Sequence, residues 1–235
     1  TSNNTAVGYD ALGANTTGAN NTAVGTYAAY SNTTGAETNA FGSHALLANT
    51  TGNANCAFGN SSLDANTTGS LNVAMGIQSL SSNTTASENT AIGTFTMRDN
   101  TTGASNTAVG KSVLLFNTTG SNNTGIGTHA LHVNTTGEDN TAVGSTALDA
   151  NTTGDFNNAF GKSALGNNTT GSNNNAFGLG AGFNNTTGSS NCFFGRDAGQ
   201  SNSSGSQNVA VGHFALEENT TASNNTSIGF EALRE

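Results

Sequence analysis

Residues 140–156 read NTAVGSTALDANTTGDF, and this stretch decides the fold because near copies of it make up the whole chain. Take Gly144, which closes the Asn-Thr-Ala-Val-Gly motif, as position 0. The same glycine recurs at Gly8, Gly25, Gly42, Gly59, Gly76, Gly93, Gly110, Gly127, Gly144, Gly161, Gly178, Gly195, Gly212 and Gly229, always 17 residues apart. Position −4 is Asn in 13 of 14 copies, with Thr38 as the exception, and position −1 is always Val, Ile, Phe or Met. Position +3 is mostly Ala, and +4 is Leu in ten copies. Position +7 is Asn in all 13 copies, +8 and +9 are Thr-Thr apart from Ser203-Ser204, and +10 is Gly except at Ala86 and Ala222.

Helical repeats run about 33–47 residues, so this period is too short for them. No segment carries apolar residues at i, i+3, i+4 and i+7 over several turns. Short β-branched and small-residue stretches bounded by Asn and Gly predict short strands and turns. The expected fold is all-β: a parallel β-solenoid (β-roll or β-helix) with one 17-residue repeat per coil and about fourteen coils, a single solenoid segment over residues 1–235. Like residues then stack about 4.8 Å apart, and fourteen coils would make a rod of about 65 Å. Positions −4 to −1 are expected to form one strand and about +1 to +5 a second. Side chains at −1 and +4 are expected to point inward, with −3 sharing the face of −1. The Ala columns at −2 and +3 would point outward and form a flat face suited to packing against another chain. Gly at +10 would supply the backbone freedom of the Asn-Thr-Thr-Gly corner.

Composition narrows the function classes. Charged residues are 8% and hydrophobic ones 33%, with 31 Gly, no Pro and no Trp, against about 25% charged in an ordinary domain. An ordinary enzyme core, a coiled coil, a collagen and a membrane-spanning chain are excluded on these grounds. Only five Lys and Arg stand against a net charge of −9, too few to neutralise a nucleic-acid backbone. A second periodicity lies above the first. Asn39, Cys56, Val73 and Thr90 at position −3 repeat as Asn175, Cys192, Val209 and Thr226, and Ala86 repeats as Ala222, each pair 136 residues apart. A block of eight coils has been duplicated. The chain starts and stops within the repeat, with no atypical capping copy, although solenoids normally need caps. Open strand edges template further pairing, so a piece of a longer fibre or an end-to-end filament is expected.

The motifs Asn21-Thr22-Ala23-Val24-Gly25 and Ala147-Leu148-Asp149-Ala150-Asn151-Thr152-Thr153-Gly154 resemble tail-fibre-type repeats of bacterial and phage surface fibres. They are more distantly similar to the β-roll heads of trimeric autotransporter adhesins. The resemblance covers nearly the whole chain, and it implies an extracellular, trimeric, structural or adhesive fibre. The 17-residue period departs from the shorter adhesin-head repeat, and the shared motif is architectural, so it brings no binding residue with it.

Several columns are candidates for chemistry. The Asn-Thr-Thr column gives an N-glycosylation pattern in every copy, at Asn15, Asn32, Asn49, Asn66, Asn83, Asn100, Asn117, Asn134, Asn151, Asn168, Asn185, Asn202 and Asn219. Further acceptor patterns stand at Asn3, Asn20, Asn60, Asn122, Asn167, Asn184, Asn224 and Asn225. The competing account of the +7 column is a buried Asn ladder with turn threonines, and the equally strict Asn column at −4 favours it. Ice binding by stacked threonines is a remote alternative, because adjacent +8 and +9 side chains do not share a face. No acidic column exists to hold calcium, and His44, His129 and His132 are expected at the surface. Cys56 and Cys192 lie eight coils apart, about 38 Å at the coil spacing, so they cannot bridge within one chain. Bridges between copies stay open. Gly178-Leu179-Gly180-Ala181-Gly182 has the look of a phosphate loop, but no helix pattern follows it. No catalytic grouping recurs, so neither enzyme activity nor a cofactor is expected. The reading is a self-associating extracellular fibre segment, with a carbohydrate-binding adhesin as the alternative. The partners implied are copies of the chain and glycans, covalent or bound, with neither nucleic acid nor membrane insertion.

Overall fold

A computed structural model describes residues 3–234 of the chain. It is all-β: three-residue strands recur every 17 residues, one per repeat, from β1 (Thr5–Val7) to β7 (Thr107–Val109) and from β8 (Thr124–Ile126) to β14 (Thr226–Ile228). Two compact units divide at 119/120. Within each unit consecutive strands pair parallel and in register, column on column, as in Thr22↔Asn39, Ala23↔Ala40 and Val24↔Phe41 or Asn158↔Asn175, Ala159↔Ala176 and Phe160↔Phe177. This is the parallel β-solenoid that the period predicts. No helix among the described residues is long and apolar enough to cross a membrane.

The expected second strand at +1 to +5 does not form. That segment is a run of turns, because the residues at +2 and +4 take positive φ, as at Tyr27 (56°), Ala29 (48°), Ser61 (50°) and Leu63 (54°). Backbone N–H groups donate three residues back, from Ala28 to Gly25 (3.3 Å), Tyr30 to Tyr27 (3.3 Å) and Asn32 to Ala29 (3.2 Å). The first two are turns with positive φ at their third residue, Tyr27 and Ala29, the arrangement that ordinarily calls for Gly or Asn. Here Leu fills most of the +4 column. Left-handed backbone costs a non-glycine residue roughly 1–2 kcal/mol, and burial of a Leu side chain returns about 1.5–3 kcal/mol. Inter-coil bonding continues through the turns, with Leu12 N–H donating to Ala28 O of the next coil (3.0 Å) and Tyr27 N–H to Tyr9 O of the preceding one (2.8 Å). Donors are therefore in use around most of the coil, which accounts for the absence of Pro.

The inside and outside of the strand are the reverse of the expectation. Strand alternation holds, but its phase is opposite: Ala at −2 is buried, as at Ala23, Ala57 and Ala176, whereas −1 faces outward together with −3. Ala at +3 is also buried, and Leu at +4 is buried as expected. The reason is thickness. A 17-residue coil leaves a narrow interior in which a large +4 side chain meets the strand, so the facing −2 position must be small. One coil shows the rule by breaking it. Phe193 stands at −2 and is completely buried, while +4 is Gly182 in the preceding coil and Gly199 in its own. A Cβ added at Gly182 would run into the Phe193 ring at 2.5 Å, and one at Gly199 would also strike it. The ring occupies the volume that two leucines fill elsewhere.

Gly at 0 is required twice over. Gly59 has φ +138°, and a Cβ there would lie 2.7 Å from the carbonyl carbon of Gly76 in the next coil. Gly at +10 serves close approach and not backbone freedom. Gly35 lies outside the left-handed region, but its Cβ would meet Gly52 O at 2.5 Å and Asn49 Nδ2 at 2.8 Å.

Candidate functional site

The two Asn columns meet inside the coil. Asn66 is fully buried, and its Nδ2 donates to Asn49 Oδ1 of the preceding coil (2.9 Å) and to Gly69 O (2.9 Å). Its own Oδ1 accepts from Asn83 Nδ2 (2.9 Å). The same pair of bonds repeats at Asn32, Asn49, Asn83, Asn100, Asn151, Asn168, Asn185 and Asn202. Asn117 is equally buried and donates to Asn100 Oδ1, and buried Asn134 donates to Gly137 O. Asn15 and Asn219, in the first and last of these copies, are only partly buried. From the other side Asn21 at −4 donates its Nδ2 to Gly35 O (2.9 Å), the carbonyl that also receives Asn32. The Asn21 Oδ1 accepts the backbone N–H of Thr38 (2.9 Å). Each +10 carbonyl of this kind is thus clamped by two buried amides.

This geometry bears directly on the acceptor pattern. In the buried copies both Nδ2 hydrogens of the +7 Asn are spent, and the atom that would carry a sugar lies inside the coil. The acceptors that face solvent lie elsewhere, at Asn3, Asn20, Asn60, Asn122, Asn184 and Asn224. Thr33 at +8 donates its hydroxyl to Thr50 O of the next coil (2.9 Å), and Thr34 at +9 is exposed. Adjacent threonines therefore play different parts, as side-chain alternation predicts.

The strand's outer face is an apolar ladder. The −1 residues Phe58, Met75, Ile92, Ile126, Phe160, Phe194 and Val211 are between 36% and 42% exposed. Their rings stack from coil to coil, Phe41 on Phe58 with centroids 4.5 Å apart and Phe177 on Phe194 at 4.5 Å. No charged residue occurs at −3 or −1 in any copy. Cys56 and Cys192 sit in this face at −3, half-buried, each with a free thiol that burial pushes above its usual pKa.

The turns carry the opposite chemistry, in a distribution that column-by-column reading of the motif passes over. All five Lys and Arg (Arg98, Lys111, Lys162, Arg196, Arg234), all four His and all three Tyr fall at +1, +2 or +5. We call this side of the coil the shoulder. Tallying where the scarce residue types fall would have found it. His129 and His132 lie with ring centroids 4.6 Å apart, and Asp149 of the next coil sits within their electrostatic reach. Burial holds its carboxyl above the usual carboxylate range, the two histidines pull it down, and its Oδ1 is buried without a partner. Among the described residues no group of three His, Cys, Asp or Glu is arranged to hold a metal ion. Phe214 packs beneath two guanidinium groups, with Arg234 Cζ 4.8 Å and Arg196 Cζ 6.0 Å from its centroid.

No protein-family model matches this chain, and no curated protein matches it in sequence.

Proposed function

We propose that the chain is a structural segment of an extracellular fibre that associates with copies of itself through the outer face of its strands. The observation that carries this reading is the uncharged −1 ladder, one large apolar side chain per coil, in a chain otherwise poor in large apolar residues. Contiguous exposed apolar surface of this kind marks an interaction site, and a periodic ladder complements another copy of itself. The reading assigns the chain no catalysis. Sedimentation velocity over a range of concentrations tests it. The expected result is concentration-dependent assembly, reduced at least about tenfold in affinity by Phe58→Asp with Phe177→Asp, since each replaces about 1.5–3 kcal/mol of burial with a charge. Circular dichroism of the variant should match that of the parent. A parent chain that stays monomeric at every concentration, or a variant that assembles equally well, overturns it.

A further inference from the structure

We propose that the shoulder of the second and third coils binds a neutral oligosaccharide. Tyr27, Tyr30, Ser31, His44 and Leu47 line a shallow groove of about 450 Å³ there, within the range of small-molecule sites. Every tyrosine of the chain is gathered around it: Tyr27 meets Tyr9 edge to face at 5.3 Å and Tyr30 at 5.5 Å, and its ring lies 5.7 Å from that of His44.

The rings are held in place. Tyr27 sits at a left-handed turn position (φ 56°) with its N–H on Tyr9 O at 2.8 Å. The Tyr30 ring lies against Gly13, where a Cβ would come within 2.9 Å of Cε2. A glycine at +5 in the first coil thus makes room for an aromatic at +5 in the second. Tyr30 remains 39% exposed and Tyr9 66%, so the aromatic surface is fixed but open.

The chemistry of this surface selects the ligand. A tyrosine offers an apolar face and a polar tip at low entropy cost, and a sugar ring offers apolar C–H faces rimmed with hydroxyls. Ser31 and His44 stand beside the rings to exchange hydrogen bonds with such hydroxyls. Charge excludes acidic ligands. Residues 3–97 contain no Lys or Arg, and their charged residues are Asp10, Glu37, Asp64 and Glu88. Asp10 stands within electrostatic reach of Tyr27 and Asp64 within reach of His44, so carboxylates border the groove and oppose an acidic ligand. The edge-to-face contacts close the space between rings, which leaves no slot for a caged ammonium group. A neutral sugar lying across the open faces fits.

The chain has no Trp and only these three Tyr, so tyrosine emission reports on this site alone. The dispersed chain is titrated with chitohexaose, cellohexaose, maltohexaose and mannohexaose, and with hexagalacturonate as an acidic control. Work on the dispersed chain separates the outcome from that of fibre assembly. At least one neutral hexaose should change the emission saturably below about 10 mM, near the weak limit of specific binding. Tyr30→Ala should weaken that binding about tenfold, as loss of a stacked ring implies. Tyr30→Phe, which keeps the ring, should hold it within about threefold. Phe183→Ala removes the aromatic that packs in the same way over Gly166, outside this groove, and should leave binding unchanged. No saturable change with any neutral hexaose, equal binding of hexagalacturonate, or undiminished binding by Tyr30→Ala overturns the proposal.

Discussion

The coils that contain Cys56-Ala57-Phe58 and Cys192-Phe193-Phe194 carry the same outward strand residues, Cys at −3 and Phe at −1, yet their shoulders share nothing. One presents Asn60, Ser61 and Asp64, the other Arg196, Asp197 and Gln200. The backbone is the same in both places: Ser61 N–H donates to Ser43 O at 3.0 Å, and Asp197 N–H to Leu179 O at 2.8 Å. On the shoulder that ladder forms with very different side chains, because most of them, though not Asp197, are at least partly open to water. On the strand face each side chain rests on its counterpart one coil away, and a charge would be partly desolvated between apolar neighbours. Column constancy thus follows contact, and the shoulder columns are where recognition can vary at least cost to the fold.

The strongest way to break this contrast is to alter a column that both sides depend on. Asn66→Ala removes two donated bonds and one accepted bond, leaving Asn49 Oδ1 and an Asn83 Nδ2 hydrogen without partners inside the coil and Gly69 O with only its Asn55 donor. Stranded buried groups cost about 1–3 kcal/mol each, so a loss of about 2–6 kcal/mol is expected in chemical denaturation. A loss below about 1 kcal/mol, the worth of one ordinary hydrogen bond, would mean that the Asn ladder does not hold the coil.

Phe193 sharpens the contrast from the inside. Phe193→Ala leaves a cavity between Gly182 and Gly199 and should cost about 3–5 kcal/mol. Gly182→Leu alone should also destabilise, since it collides with the ring. Combining Phe193→Ala with Gly182→Leu and Gly199→Leu restores the common column and should recover most of the loss. Denaturation of the parent, Phe193→Ala, the paired Gly182→Leu and Gly199→Leu variant and the combined variant measures the coupling, expected above about 1 kcal/mol for residues in contact. Additive effects would show that −2 and +4 do not share one space.

Those same residues mark how much could be read beforehand. The parallel coil, its period, the inward Leu at +4 and the rival account of +7 as a buried Asn ladder follow from fixed spacing, because stacked copies impose one environment per column. The phase of the strand did not follow, since Ala at −2 and Val at −1 alternate equally well in either sense. The joint replacement at Phe193, Gly182 and Gly199 carried the missing information: a large residue at −2 accompanies glycine at +4, so the two face one another. The second strand failed for a different reason. Leu63 and Ser61 are ordinary residues in left-handed backbone, and nothing in residue type announces that, although Gly180, Gly182 and Gly199 all fall at these two phases. The tyrosine groove was hidden because its residues occupy the columns without a consensus.

The smallest effect tests whether the shoulder is free. Burial raises the Asp149 carboxyl above its usual pKa against the pull of His132 and His129, so the folded chain holds this proton more tightly than the unfolded one. The stability so contributed is complete below the ordinary carboxylate value of about 3.9 and is lost as pH rises through the raised folded value. At pH 7 the ionised group, its Oδ1 buried without a partner, is a net cost. Asp149→Asn should therefore stabilise at pH 7, by only a few tenths of a kcal/mol because water screens a half-exposed site. The gain should shrink as pH falls and close near pH 3.5, where both chains carry a neutral group. Paired thermal melts at the two pH values measure it. A variant less stable than the parent at pH 7 would mean that the histidines hold the carboxylate in place, and that at least one shoulder residue is as tied to its neighbours as any on the strand face.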